Sequence, residues 1–415
     1  MRSSIPLSYT PNRPGRVVMS SALARAAALM PLIREHADES EAQRRLHSAV
    51  ATAFAASGLY RLGVPVSAGG EGGDPKTQIE VIECASVADG SAGWNLMIGI
   101  ESFGLIVPGF RECKELVADP LEVICGSTAA VGTATPDDDG YRINGVWQFV
   151  SGCHNAGLFA ATVANPNGAG NRYAILNRGQ WEILDTWHVG GMRGSGSHDV
   201  RVVDAWVPRS QIVAPIGGVK SDDPLLRFPV GARLAYNKVA VALGIARHAF
   251  DFFVELAEGK QPRFSSGKLR ERVHAHDAAA EAEARIVRSR AALIEQVESM
   301  WAKNLRGASI STRDRAVFQI ICSDGVRACV EAVDLLADAA GTSANQLGSA
   351  LERASRDVRV VRQHASVASH HIADGGRALL GLAPQGLMLS GLSPTPSPAA
   401  TASAERVSPA NGKEG

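Results

Sequence analysis

Three stretches of the chain combine residue types that could hold a ligand or move a proton. The first is Gly190-Gly191-Met192-Arg193-Gly194-Ser195-Gly196-Ser197. Glycine lets backbone N–H groups approach a ligand closely, and Arg193, Ser195 and Ser197 add side-chain donors. A Rossmann dinucleotide fingerprint opens a helix. This loop leads into the β-branched segment Val200–Val207, which argues against that reading. On pattern alone, a ligand loop and a plain glycine-rich connection stand level. The second stretch is Trp147-Gln148-Phe149-Val150-Ser151-Gly152. A strand ending this way can offer the Ser151 hydroxyl and backbone groups to a planar ring, and it can equally be a turn. The third runs from Arg353 to His364, with His364 about two helical turns after Arg356 and on about the same face. A histidine can serve as base, acid or hydrogen-bond donor near neutral pH, and a solvated basic helix face is the plainer alternative.

Other chemistries find no support. The pattern of a serine-hydrolase elbow, a zinc-protease helix, a phosphate loop or an EF-hand is absent. His370 and His371 are adjacent, so they diverge on a helix and make no i, i+4 metal pair. The six cysteines are scattered with no CxxC pair, which predicts reduced buried thiols rather than a disulfide framework or a metal site. Lys plus Arg and Asp plus Glu are each 42, so no broad field attracts nucleic acid or an acidic membrane. No run reaches the roughly 18 apolar residues of a membrane span. Arg25 interrupts the apolar stretch 21–33, which therefore reads as an amphipathic helix rather than a signal peptide.

The elements that must position these residues fall into blocks. At 415 residues the chain predicts two or three domains. Residues 1–18 hold three prolines without periodicity and predict a flexible arm. Residues 19–123 predict a helical domain. Its helices start at Met19, run through Ser40–Ala56 and Lys76–Val87, and resume after Asp89-Gly90 with Ser91 as cap. Residues 124–215 predict an antiparallel β domain, with Asn144-Gly145 as a hairpin turn between Tyr141–Ile143 and Val146–Phe149. Residues 216–390 predict a helical bundle, and 391–415 a Ser/Pro/Ala-rich disordered tail. The order helices, strands, helices gives a mostly α, α+β fold and speaks against a doubly wound parallel sheet.

Taken in order, the motifs resemble those of the acyl-CoA dehydrogenase superfamily, and within it the oxygenase components of two-component flavin-dependent monooxygenases. The similar stretches are Ala88–Trp94, Gly140–Trp147 through Ser151-Gly152, Asp185-Thr186-Trp187, Gly191–Val200, Val207-Pro208 and Arg356-Asp357-Val358 with His364. They span about residues 20–385. The resemblance implies an acyl-CoA dehydrogenase-like fold with a flavin between the β domain and the C-terminal bundle. It implies that Trp147, Ser151, Arg193, Ser195, Ser197 and Arg263 bind the flavin, Arg263 at the phosphate and across a subunit boundary. Ser151 and His364 are implied as catalytic residues at the ring. Trp94, Glu101 and Ser102 are expected to line the substrate pocket.

Two departures shape the functional expectation. The late acidic-glycine-threonine turn that carries a dehydrogenase base is absent; Ile372–Leu382 contains no such motif. The histidine that several hydroxylases carry soon after the early Gly-Trp is also absent, the segment reading Asn95–Phe103. The resemblance implies a cytoplasmic homotetrameric monooxygenase that uses reduced FMN or FAD, with molecular oxygen as co-substrate and no metal. It would hydroxylate a small aromatic or heteroaromatic substrate through a flavin C4a-hydroperoxide. A separate NAD(P)H-dependent flavin reductase would supply the cofactor. A flavin-dependent acyl-CoA dehydrogenase or oxidase is one alternative, and a non-catalytic flavin- or ligand-binding protein is another.

Overall fold

The structure, a computed structural model, describes residues 20–215 and 222–390. The expected arm over 1–18 and tail over 391–415 lie outside the described residues. Three helices open the described chain: α1 (Ser21–Glu35), α2 (Ala37–Gln43) and α3 (Ser48–Ala56). The single helix expected over Ser40–Ala56 is broken at Arg44, which is left-handed at φ 54°. Tertiary contacts override local propensity there. The Arg44 guanidinium forks onto Asp185 at 2.6 and 3.1 Å, and its carbonyl accepts from His198 Nε2 at 3.2 Å.

Helix α4 (Pro75–Ala88) starts with proline at its first position, and the Asp74 side chain caps it. Helix α5 (Gly90–Ile106) is capped by Asp89, which accepts the Ala92 N–H at 2.7 Å, so the cap lies two residues before the expected Ser91. A Cβ at Gly93 would fall 1.9 Å from Ser86 Oγ, so glycine is what lets α5 close onto α4.

Seven strands follow: β1 (Ile124–Asp137), β2 (Gly140–Val150), β3 (Leu158–Ala164), β4 (Asn171–Asn177), β5 (Glu182–Leu184), β6 (His198–Pro208) and β7 (Ile212–Val213). Their order is β5-β6-β2-β1-β3-β4-β7. Neighbours are antiparallel except β1 and β3. That exception is geometric: β2 reverses β1, and β3 reverses again on the far side of β1. The turn between β1 and β2 is at Asp138-Asp139, with Asp138 at φ 49°, and not at Asn144-Gly145. Asn144 and Gly145 lie inside β2, opposite a bulge in β6. The Asn144 side chain accepts the N–H of bulged Asp204 (φ 51°) at 2.8 Å, so its turn chemistry stabilises the partner strand's kink.

The C-terminal part is α6 (Pro224–Arg227), α7 (Val230–Gly259), α8 (Val273–Leu305), α9 (Thr312–Ala340), α10 (Ala350–Arg362), α11 (His370–Leu379) and α12 (Leu387–Ser390). The N-terminal helices share one continuous apolar core with this bundle, while the β domain keeps a separate core around Trp147, Phe159 and Trp181. All six cysteines are buried and none forms a disulfide. Among the described residues no helix is long and apolar enough to cross a membrane.

Candidate active site

The site forms where the end of β2, the loop before β6, helix α5, helix α7 and the segment after α10 meet. Three buried serine hydroxyls make its polar spine. Ser197 Oγ lies 2.7 Å from both Ser151 Oγ and Ser195 Oγ, and Trp94 Nε1 donates to Ser151 Oγ at 3.0 Å. Three hydroxyls carry three hydrogens, and their two mutual contacts use at most two. At least one O–H is therefore left to donate to an acceptor outside the set.

Trp94 connects this spine to His364. The two rings meet edge to face, 5.4 Å between centroids. His364 Nδ1 lies 3.2 Å from the Ser366 N–H and 2.9 Å from the Ser366 hydroxyl, so the segment after α10 fixes the ring through that nitrogen. Burial, and then the positive charge of Lys238, pushes the His364 pKa down to about 3. At neutral pH His364 is an uncharged imidazole with one ring N–H, not an imidazolium acid.

Glu101 stands two helical turns beyond Trp94 on the same face of α5. Both its oxygens take the Lys238 ammonium, at 2.5 and 2.6 Å, and Asn237 Nδ2 donates to it at 3.0 Å. Lys238 is 1% exposed. The Ser366 hydroxyl contacts the Leu234 carbonyl at 3.1 Å, so the α7 turn that holds Lys238 also supports the His364 segment.

The glycine-rich loop is fixed from behind by α10. Met192, left-handed at φ 55°, donates its N–H to Asp357 Oδ1 at 2.5 Å. A Cβ on Gly191 would lie 2.5 Å from the Arg356 backbone, so only glycine permits this approach. Arg356 also donates to the Gly190 carbonyl and pairs with Glu41 and Glu352. Burial raises the Asp357 pKa to about 7 against the pull of the Met192 N–H, and burial raises Asp89 beside it to about 6.

The family model "Acyl-CoA dehydrogenase, C-terminal domain" matches residues 236–369. An indole-3-acetate monooxygenase of Pseudomonas putida is 30% identical over 378 residues, covering 89% of this chain and 97% of that protein. An FADH(2)-dependent resorcinol hydroxylase, oxygenase component, of a Rhizobium species is 26% identical, covering 87% and 94%. The solved 3-HSA hydroxylase from Rhodococcus sp. RHA1 superposes with a TM-score of 0.79 at 26% identity, covering 88% of this chain and 98% of that one.

The chain belongs to the two-component flavin-dependent monooxygenases of the acyl-CoA dehydrogenase superfamily. It is an enzyme.

In this monooxygenase the residues singled out by sequence do not all converge. Trp94, Ser151, Ser195, Ser197, His364 and Glu101 form the connected set described above. Ser102 is buried on α5 beside Glu101. Arg193 flanks the loop and donates weakly to the carbonyls of Glu41 and Val189, at 3.4 and 3.5 Å. Arg263 sits exposed on the loop between α7 and α8, is not part of the hydrogen-bonded set around the serine spine, and among the described residues has no ion pair.

Trp147 lies in the β core instead. It is fully buried, donates to the Thr162 carbonyl at 2.8 Å and packs edge-on against Phe159. The reason is a register shift between Trp147 and Val150 that turns Phe149 outward. Phe149 is 59% exposed at φ 60°, its carbonyl accepts the Ser151 N–H, and its ring meets Trp187 edge-on. Phe149 is thus the aromatic face beside Ser151, and strand alternation gave no signal for it. Lys238 and Asn237 also escaped notice, since a lysine in a helical run reads as surface.

One cluster arose that the sequence did not suggest. His36, Glu39 and His47 bring their ligand atoms within 4.8 Å of one another at the α2–α3 corner. The two imidazoles stack 3.8 Å apart at 5°, so their nitrogen lone pairs run side by side instead of converging.

Proposed function

We propose that this enzyme is the oxygenase component that binds reduced FMN or FAD and hydroxylates a small aromatic or heteroaromatic substrate with molecular oxygen. The reduced flavin would come from a separate NAD(P)H-dependent reductase, and the assembly would be a cytoplasmic homotetramer. The reading rests on one observation above all, the serine spine with a spare O–H beside the neutral donor His364. The resorcinol hydroxylase that resembles this chain is named for its use of FADH(2).

The donor set fits a flavin ring. The ring's polar edge offers acceptor atoms, and the spare hydroxyl of the Ser151–Ser197–Ser195 set supplies a matching donor. Phe149 offers an exposed aromatic face beside that hydroxyl. Arg193 would lie along the loop toward the cofactor, and Arg263, exposed and unpaired, would meet the phosphate of a flavin held by a partner subunit. When bound, reduced flavin supplies an activated oxygen atom; the protein supplies position and electrostatics.

Each residue then has a distinct part. Ser151 orients the ring through its hydroxyl, and Trp94 fixes Ser151 in turn. The ring N–H of His364 donates a hydrogen bond to charge developing on oxygen, which an uncharged imidazole can do without gaining or losing a proton. Trp94 and the apolar face of α5 keep water from the reacting atoms. Two carboxylates on the site's elements are committed, Glu101 to Lys238 and Asp357 to Met192. Neither is placed as the free base that thioester dehydrogenation needs, which favours the oxygenase over the dehydrogenase.

The test is to mix purified protein with chemically reduced FMN or FAD, add oxygen and aromatic candidates, and measure hydroxylated product against hydrogen peroxide. Coupled product formation supports the reading. Tight binding of oxidised flavin with its reduction by an acyl thioester would support the dehydrogenase instead.

A further inference from the structure

His364 stands in the turn between α10 and α11, and that turn hangs from three helices. On α7, the Leu234 carbonyl accepts from the Ser366 hydroxyl at 3.1 Å. On α9, Gln319 Nε2 donates to the Ser366 carbonyl at 2.7 Å. On α11, His371 Nε2 donates to the Ala365 carbonyl at 2.6 Å. Gln319, Ser366 and His371 are each at most 3% exposed. Ser366 carries the link forward, since its N–H and its hydroxyl both meet His364 Nδ1.

Stability alone does not account for an imidazole at position 371. A carbonyl only accepts, so the bond to Ala365 places a proton on Nε2. Burial pushes the His371 pKa down, against the pull of the Ala365 bond, and the neutral ring leaves Nδ1 bare. Nδ1 has no partner, and a buried acceptor left unmet is destabilising. A leucine would avoid that penalty and pack in the same space. What only a donor supplies is the bond to Ala365. Gly375, one turn after His371 on the same face, lets α11 close on α9. A Cβ there would lie 2.5 Å from Ile320 Cγ1 and 3.1 Å from the Ala316 carbonyl. Ile320 is the neighbour of Gln319, so one helix contact fixes both donors to the turn.

We propose that Gln319 and His371 are positioning residues for His364, holding its ring edge to face with Trp94 beside Ser151. The proposal rests on the catalytic reading of His364 above. Neither side chain touches the ring; each acts through a backbone carbonyl one or two residues away. Loss of either donor leaves a buried carbonyl unmet and frees the turn to shift, and a displacement of about 1 Å is enough to slow a reaction about 10²-fold. The shift also takes the ring out of its burial and away from Lys238, the two influences that keep it uncharged. The charged and titratable groups around the two histidines are Lys238 on α7, held by Glu101 of α5, Arg362 at the end of α10, and His370 and Asp374 on α11. Gln319 of α9 is neutral.

The first readout uses the full chain without flavin. The ring signal of His364 is followed by NMR and assigned by its loss in His364→Asn. It should stay unprotonated from pH 8 to 5 in the wild type and titrate toward the ordinary 6.5 in His371→Leu and in Gln319→Leu. His371→Gln, whose amide N–H reaches the place of Nε2, should restore the flat response. Gly375→Ala removes no hydrogen-bonding group and should shift the signal in the same direction as His371→Leu, which covers a leucine variant that does not fold. The second readout is a double-mutant cycle on chemically reduced FMN, with FAD in parallel, mixed with oxygen and no aromatic compound. His371→Leu should shorten the absorbance transient before reoxidation about 10-fold, but less than about twofold in the His364→Asn background. A His364 signal that stays flat in folded leucine variants, or an equal effect of His371→Leu in both backgrounds, overturns the proposal. A wild type without a transient, or a transient unchanged by His364→Asn, sinks the catalytic reading instead, and the ring titration still decides whether Gln319 and His371 hold the ring.

Discussion

Asp357 joins the bundle to the loop proposed to hold the flavin, so removing its carboxylate should loosen that loop without emptying the active site of its own groups. In Asp357→Ala the buried Met192 N–H loses its acceptor, which costs about 1–3 kcal/mol. Met192 is left-handed, a conformation that costs a residue with a side chain about 1–2 kcal/mol, and the lost bond is what offsets it. If the N–H term alone falls on loop closure, flavin affinity drops about 5- to 150-fold. Asp357→Asn keeps an oxygen in place. At pH 6 the wild-type carboxyl, with its pKa raised to about 7, is mainly protonated, so the Asn variant should bind flavin within about threefold of wild type. The stability sign also follows. A carboxyl raised in the folded state binds its proton more tightly there than when unfolded. Wild-type stability therefore falls as pH rises from about 3.8 to about 7 and is flat above, and the Asn variant lacks that contribution. Flavin titration by fluorescence and denaturant melts at pH 5 and 8 check both points. Flavin affinity in Asp357→Ala equal to wild type, with the fold intact, would refute the anchoring role.

Four further outcomes are expected. Ser151→Ala removes the hydroxyl that Trp94 and Ser197 both contact, and should weaken reduced-flavin binding about 5- to 10-fold in equilibrium titration. With the His364 pKa near 3, no pH–rate limb from this residue should appear between pH 5 and 8; His364→Ala should lose about 10²-fold in rate, with His364→Asn retaining part through its amide N–H. Trp147→Ala should cost about 3–5 kcal/mol in a melt, through the β core, whereas Trp147→Phe should leave flavin affinity near wild type. Gly191→Ala should force the loop off α10 and mimic Asp357→Ala in flavin titration, since the added methyl meets the Arg356 backbone at 2.5 Å.

The order of helices, strands and helices was legible because periodicity changes sharply at Ile124 and again before Val230. What escaped depends on contacts distant in sequence. Asn144-Gly145 has the residues of a hairpin turn, but their partner is Asp204 on β6, so they brace a bulge instead. Arg44 sits among helix formers, yet Asp185 and His198 hold it left-handed. The same holds at the site. Ser151, the serines of the glycine loop and His364 could be picked from residue type and motif order. Phe149 in place of Trp147 follows from a register shift that alternation does not reveal. Arg233, Asn237 and Lys238 look like polar positions on a long helix until α5 buries them.

The central claim is that this chain receives reduced flavin and couples oxygen to hydroxylation. The most direct measurement is anaerobic mixing with reduced FMN or FAD, followed by oxygen, with absorbance recorded over time and product and hydrogen peroxide counted at the end. The account predicts tighter binding of reduced than oxidised flavin, a lasting absorbance transient before reoxidation, and hydroxylated product that outnumbers peroxide with a fitting substrate. Immediate reoxidation without a transient, with peroxide as the sole product across aromatic and heteroaromatic candidates, would contradict it.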